Sequence, residues 1–235
     1  MSSTRTVLGG KDVRYGISTR NDGNMPLRHA GEDAEAIENR NRFFTDAGIN
    51  PDRVFSAKQS HSARVEVVTD KPPRIIAADG LVTTQKNICL AVTSADCFPI
   101  FLYDPKQNIV GMLHAGWRGI VGGIVQNGIE AFVQLGSDVK DINVVIGPGI
   151  QRHHFEIQHD VQEKFSLFPF ALRTEHKKRT VDLVEIMLHI LAERGVRNVE
   201  SVGDCTVCLS DKYFSWRRDH ETPLRAMVAY IVRAG

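Results

Sequence analysis

Apolar positions recur along this chain in two periods. From Asp33 to Ala47, Ala34, Ile37, Phe44 and Ala47 return at helical intervals and Gly48 offers a permissive residue beyond the end, which predicts a helix. Short stretches rich in β-branched residues and bounded by turn formers predict strands at Val54–Ala57, Val65–Thr69, Ile88–Thr93, Ile100–Tyr103, Ile109–Leu113 and Asn143–Ile146. Asp104-Pro105-Lys106-Gln107-Asn108 carries the residues of a tight reversal, so the strands on either side of it should be antiparallel. After His114, Ala115-Gly116-Trp117-Arg118-Gly119 leads into an apolar, Gly-containing stretch to Leu135, which predicts a helix packed closely on a sheet. Further helices are expected at Asp160–Phe168 and Asp182–Arg194, the second stopped by Gly195, with strands at Val199–Val202 and Ala226–Val232. Strands outnumber helices without regular alternation, which points to a layered α+β fold. No linker, repeat or low-complexity segment interrupts residues 1–235, so one domain is expected.

Composition narrows the function classes. The 235 residues are 42% hydrophobic and 24% charged, an ordinary globular balance. With 29 Lys and Arg against 28 Asp and Glu, the net charge of +1 leaves no broad basic surface for nucleic acid, only room for a local cationic pocket. Met1 to Gly16 lack the apolar core of a signal peptide and no apolar run approaches the ~18 residues of a membrane span, so a cytoplasmic protein without membrane contact is expected. Cysteines at 89, 97, 205 and 208 are too few and too unevenly placed to staple such a chain.

His61, Cys97 and His114 are soft ligands placed where strands should end. One thiolate and two imidazoles suit Zn²⁺, and three protein ligands leave a tetrahedral position open, the mark of a catalytic rather than a structural zinc. Against this stands the plain alternative of two satisfied histidines and a small buried thiol. Asp79 and Asp96 lie beside these residues and suit either the orientation of a ligand histidine, proton transfer, or turn hydrogen bonds. Cys205-Thr206-Val207-Cys208 has neither a thioredoxin-like context nor an evident second ligand pair, which predicts ordinary buried thiols. In a strand, the adjacent side chains of His153-His154 would point to opposite sides and not share an ion. Phe165, Phe168 and Phe170 are expected in the core.

The strings Ala78-Asp79-Gly80-Leu81-Val82-Thr83, Ala95-Asp96-Cys97-Phe98-Pro99-Ile100, His114-Ala115-Gly116-Trp117-Arg118-Gly119, Ile146-Gly147-Pro148 and Phe214-Ser215-Trp216-Arg217-Arg218 stand in the order of a known family. From about Ser18 to the C-terminus the chain resembles the multicopper polyphenol oxidase (laccase-domain) family, also described as purine nucleoside phosphorylases. The resemblance implies a layered αββα sandwich related to cysteine hydrolases, with Zn²⁺ on His61, Cys97 and His114. It further implies phosphorolysis of adenosine, inosine, guanosine or methylthioadenosine, with adenosine deamination as a second activity; nucleoside and phosphate would be the partners. Three segments depart from the family pattern: Gln59-Ser60-His61-Ser62 replaces Gln-Val-His-Gly, Gly147-Pro148-Gly149-Ile150-Gln151 lacks a cysteine, and Asn24-Met25-Pro26-Leu27-Arg28-His29 replaces Leu-Asn-Leu-Gly.

Phosphorolysis needs cations for the attacking phosphate, and the planar Arg fork suits that task. Arg20 matches the arginine of the family's Ser-Thr-Arg segment, while Arg118 follows the His114 ligand; Arg217 and Arg218 fit a structural ion pair as well as ligand contact. Three other functions compete. A copper-dependent, laccase-like oxidase shares the His₂Cys set, and Cu²⁺ binds such sites tightly, but nine histidines without a His-x-His pair are few for several coppers. A metal-free hydrolase would use Cys97 as nucleophile and His114 as base. A non-enzymatic zinc module would have a fourth protein ligand.

Overall fold

A computed structural model describes residues 12–26, 33–69, 73–175 and 178–235. Part of the Asn24–His29 departure, Leu27 to His29, lies outside the described residues. One sheet joins β1 (Val13–Ile17), β13 (Met227–Arg233), β6 (Cys89–Ser94), β2 (Val54–Ala57) and β4 (Ile75–Ile76) in that order. A second joins β12 (Asn198–Ser201), β9 (Asn143–Ile146), β7 (Phe98–Asp104), β8 (Ile109–Ala115), β5 (Gly80–Thr83) and β3 (Val65–Val67). A separate hairpin pairs β10 (Leu172–Glu175) with β11 (Lys178–Val181).

Strand alternation builds the layers. On β13, Ala229 and Ile231 join Leu90 and Val92 of β6, Phe101 and Tyr103 of β7 and Val110 and Met112 of β8 in a core between the two sheets. The intervening residues of β13, Val228, Tyr230 and Val232, turn the other way and pack with Phe43 and Phe44 of α1 (Ala34–Asp46). On the second sheet, Ile100, Leu102, Ile109 and Leu113 face α2 (Trp117–Gly122), α3 (Ile124–Gln134) and α5 (Leu183–Glu193). Helix, sheet, sheet and helices thus stack as the expected αββα order. Both faces of the central strands are covered, which is why β7 and β8 read as continuous apolar runs rather than alternating ones. Each fully buried Leu, Ile or Phe there stabilises the fold by about 1.5 to 3 kcal/mol.

The predicted reversal is present: β7 and β8 pair antiparallel from Asp104↔Ile109, and Asp104 Oδ1 accepts from the amides of Lys106 at 2.7 Å and Gln107 at 3.1 Å. Three expectations change. The single helix expected up to Leu135 breaks into α2 and α3 because Gly123 adopts φ 98°, a left-handed conformation that glycine takes freely. The helix expected over Asp160–Phe168 is only α4 (His159–Gln162) followed by a 3₁₀ turn over Glu163–Phe165. The strand expected at Val199–Val202 is shifted by one residue to β12, and β1, β5 and the β10–β11 hairpin had no distinct sequence reading. Phe165 and Phe168 are buried in the helical layer, as expected, with Phe170 packed against it. Among the described residues no helix is long and apolar enough to cross a membrane.

Candidate metal centre and active site

The centre forms where the chain passes from one sheet to the other. β6 belongs to the first sheet and β7 to the second, so residues 95–97 make a crossing turn, which the Ser94 hydroxyl closes by donating to the Cys97 carbonyl. β2 and β3 also lie in different sheets, and the segment between them carries His61. His114 completes the set from near the end of β8, opposite Pro99 of β7. Two residues of these crossings, His61 at φ 60° and Asp96 at φ 94°, sit in the left-handed region, which costs a side-chain-bearing residue about 1 to 3 kcal/mol.

Asp79 offsets that strain. Fully buried at the start of β5, its carboxylate accepts from the amides of Ser60 (3.0 Å), His61 (3.0 Å) and Ser62 (2.8 Å), and from the Ser62 hydroxyl at 2.7 Å. Its Oδ1 also lies 2.9 Å from His114 Nδ1. Burial alone would raise the Asp79 pKa, but these donors, His114 first, hold it well below the usual carboxylate range. The carboxylate therefore accepts from Nδ1 of His114 and turns Nε2 toward Cys97, where an ion would replace the Nε2 proton.

The ligand atoms of His61, Cys97 and His114 all lie within 4.8 Å of one another. Burial disfavours the Cys97 thiolate, yet the charges and hydrogen bonds of His114 and His61 outweigh it and bring the thiol to about 6. Burial likewise opposes charge on His114, while Cys97 and Asp79 raise it to about 9. Gly116 leaves the space: a Cβ there would stand 2.8 Å from His61 Cδ2 and 2.9 Å from Cys97 Sγ. The donor chemistry, the fixed His114 tautomer and this clearance all fit a soft divalent ion, and His61 and Cys97 face a cavity of about 500 Å³. That cavity is walled by Trp117, Phe155, Trp216 and Leu224, with Arg118 and Arg217 as its cations. A smaller cavity of about 240 Å³, lined by Gln59, Thr93 and Leu224, meets all three ligands.

The other predicted residues divide. Arg118 lines the large cavity with its guanidinium stacked 4.3 Å from the Trp117 ring centroid. Arg20 does not line it; it pairs with Asp219 at 3.3 Å and stacks 4.8 Å from the Phe214 ring centroid. Arg20 thus supports α6 (Trp216–Asp219), which presents Trp216 and Arg217 to the cavity. Arg218 is structural, bonded to Asp219 and to the carbonyls of Thr206, Val207 and Tyr213. Asp96 lines the cavity with both oxygens engaged, accepting from Thr206 Oγ1 and from the Arg217 amide, each at 2.6 Å. Asp79 does not line it and acts behind His114. The apolar lining from Phe155, Leu183 and Leu224 had no sequence signal, since single apolar residues far apart in the chain look like any core residue.

The solved structure of the Bacillus licheniformis hypothetical protein YfiH superposes with a TM-score of 0.88 at 29% identity, covering 94% of this chain and 92% of that one. A purine nucleoside phosphorylase of Deinococcus radiodurans is 32% identical over 208 residues, which is 87% of this chain and 80% of that protein. The adenosine deaminase RL5 of an unknown prokaryotic organism is 29% identical over 92% of this chain and 87% of its own length. Residues 11–234 match the family model described as multi-copper polyphenol oxidoreductase laccase, and the chain belongs to that family.

Proposed function

We propose that this chain is a zinc-dependent purine nucleoside phosphorylase that acts on adenosine, inosine, guanosine or methylthioadenosine, with Zn²⁺ on His61, Cys97 and His114. The observation that carries the reading is the convergence of these three ligands, two of which, His61 and Cys97, face a cavity with apolar walls and two arginines. Held by these residues, the ion would supply Lewis-acid chemistry. Trp117, Trp216 and Phe155 offer ring faces for a purine, and Arg118 and Arg217 offer forks for a phosphate. A phosphate oxygen attacks C1′, the C1′–N9 bond breaks, and the bonding pair leaves with the base, which takes up a proton. Arg118 holds the attacking anion, while Arg20 and Asp219 keep α6 in place. The names of the relatives support this reaction class, and RL5 supports adenosine deamination as a second reaction.

Asp79, His114 and Cys97 also form the chain of a thiol nucleophile, a base and its orienting carboxylate. A second imidazole, His61, facing the same sulfur has no part in such a triad and favours the metal reading. The reactions separate by product. Zinc-loaded protein given adenosine and phosphate should yield adenine and ribose-1-phosphate; inosine and ammonia without phosphate consumption would indicate deamination. Neither product set across the four nucleosides would reject the nucleoside assignment. Turnover by metal-free protein that stops on Cys97 alkylation would establish the hydrolase instead.

A further inference from the structure

A second group of soft ligands is joined to the cavity wall through Thr206 and Arg217. His153, His154, Cys205 and Cys208 place one ligand atom each within 4.8 Å of all the others. The expectation of two ordinary buried thiols is not met: Cys205 is buried but Cys208 is exposed, and both are free. The second ligand pair that the Cys205–Cys208 spacing lacked in sequence comes from the fold. His153 and His154 lie in a turn, not a strand, in which the amides of His154 and Phe155 donate to the Gln151 carbonyl at 2.9 and 3.1 Å. The alternation of an extended chain therefore does not apply, and both rings face one sulfur, with Nε2 of His153 3.1 Å and Nε2 of His154 3.2 Å from Cys208 Sγ.

We propose that these four residues form a closed tetrahedral zinc site, distinct from the His61–Cys97–His114 centre, which clamps the wall of the active-site cavity. Zn–S and Zn–N bonds of about 2.3 and 2.0 Å set an N···S edge of about 3.5 Å in a tetrahedron, so the observed separations of 3.1 and 3.2 Å need to open by only about 0.3 to 0.4 Å to admit the ion. One ion would engage both rings and both sulfurs together as Cys205 and Cys208 each release a proton. The frame exists before the ion arrives. Gly149 and Cys205 form a parallel bridge in which the Gly149 amide donates to Asp204 and the Thr206 amide to Gly149, each at 3.2 Å. Four protein ligands leave no position for substrate, so the ion is structural. Its clamp reaches the cavity by two bonds: Thr206, inside the Cys205–Cys208 turn, donates to Asp96, and Arg217 donates to the His154 carbonyl at 2.6 Å.

The site is tested without relying on turnover, so its failure is separate from any failure of the nucleoside reading. A full-length His61→Ala/Cys97→Ala variant keeps only His114 of the first centre. After dialysis against metal-free buffer it should retain about one zinc per chain. Adding Cys208→Ser or His153→Ala, both at exposed positions, should abolish that zinc. Cobalt added to the double variant should give thiolate-to-metal absorption that is lost with Cys208→Ser. Hydrogen exchange of residues 149–156 and 205–209 should quicken with zinc loss. The proposal is overturned if the double variant holds no zinc, if the Cys208→Ser derivative keeps a full equivalent, or if intact mass shows Cys205 and Cys208 joined as a disulfide. Unchanged exchange on zinc loss would overturn the clamp.

Discussion

Asp79→Asn tests how the metal centre is organised, because it changes almost no volume while removing one acceptor oxygen and the charge. The buried carboxylate receives three backbone amides, two serine hydroxyls and the His114 ring. If the new NH₂ takes the place of Oδ2, it meets the amides of Ser60 and Ser62, two donors with no acceptor. A fully buried unsatisfied donor costs about 1 to 3 kcal/mol; these two are only partly buried, so the variant should lose about 1 to 3 kcal/mol of stability in all. If it takes the place of Oδ1, the His61 amide is orphaned and His114 Nδ1 must become an acceptor. The His114 proton then moves to Nε2, the atom that would ligate zinc, and zinc affinity should fall by about 10- to 100-fold. Denaturant unfolding of the apoprotein and zinc competition against a chelator measure the two losses. The folded Asp79 pKa is depressed, so its contribution is complete above about pH 4 and is lost as pH falls through the lower folded value. Wild-type and variant stabilities should accordingly converge in acid. A variant within about 0.5 kcal/mol of wild type at neutral pH, with unchanged zinc affinity, would refute the reasoning.

Other substitutions probe the remaining parts. Gly116→Ala places a methyl group within 3.0 Å of both His61 and Cys97, so zinc affinity should drop at least about 10-fold while circular dichroism keeps its native shape; unaltered binding would show that the ligands can yield. Arg118→Ala removes a charged fork from the cavity and should raise the phosphate KM by about 10-fold or more with zinc content unchanged; a rise confined to the nucleoside KM would assign it to the base instead. Arg20→Ala breaks a partly exposed ion pair worth at most about 1 kcal/mol, and should weaken phosphate dependence several-fold through α6 without loss of zinc. Equal loss of zinc in that variant would give Arg20 a folding role.

Much of this architecture was legible from local chemistry. The helix from Ala34 to Asp46, the β7–β8 reversal at Asp104 and the apolar strands follow from side-chain period and turn residues, which act over a few positions. Expected strand ends made His61, Cys97 and His114 candidates; the family strings carry Cys97 and His114, while His61 stands in a segment that departs from the family pattern. Local period could not decide which sheet a strand joins. It therefore could not show that residues 95–97 and the segment around His61 cross between sheets, which is what brings the three ligands together. The same limit hid the part played by Asp79. Its neighbours in sequence suggest a turn residue, and only the approach of residues 60–62 and His114 turns it into the hub of the centre.

Arg20 and the pair His153-His154 mark the boundary most clearly. The family resemblance offered Arg20 as a phosphate-ligand candidate, and strand alternation set the two histidines on opposite sides; the structure pairs Arg20 with Asp219, and a turn aims both rings at Cys208. Sequence by itself determined the α+β mixture, the position of most central strands and the residue types available for soft-metal chemistry. Tertiary structure alone decided which of those residues converge, because convergence rests on contacts between segments far apart in the chain, whose geometry is set by sheet order and core packing rather than by neighbouring residues.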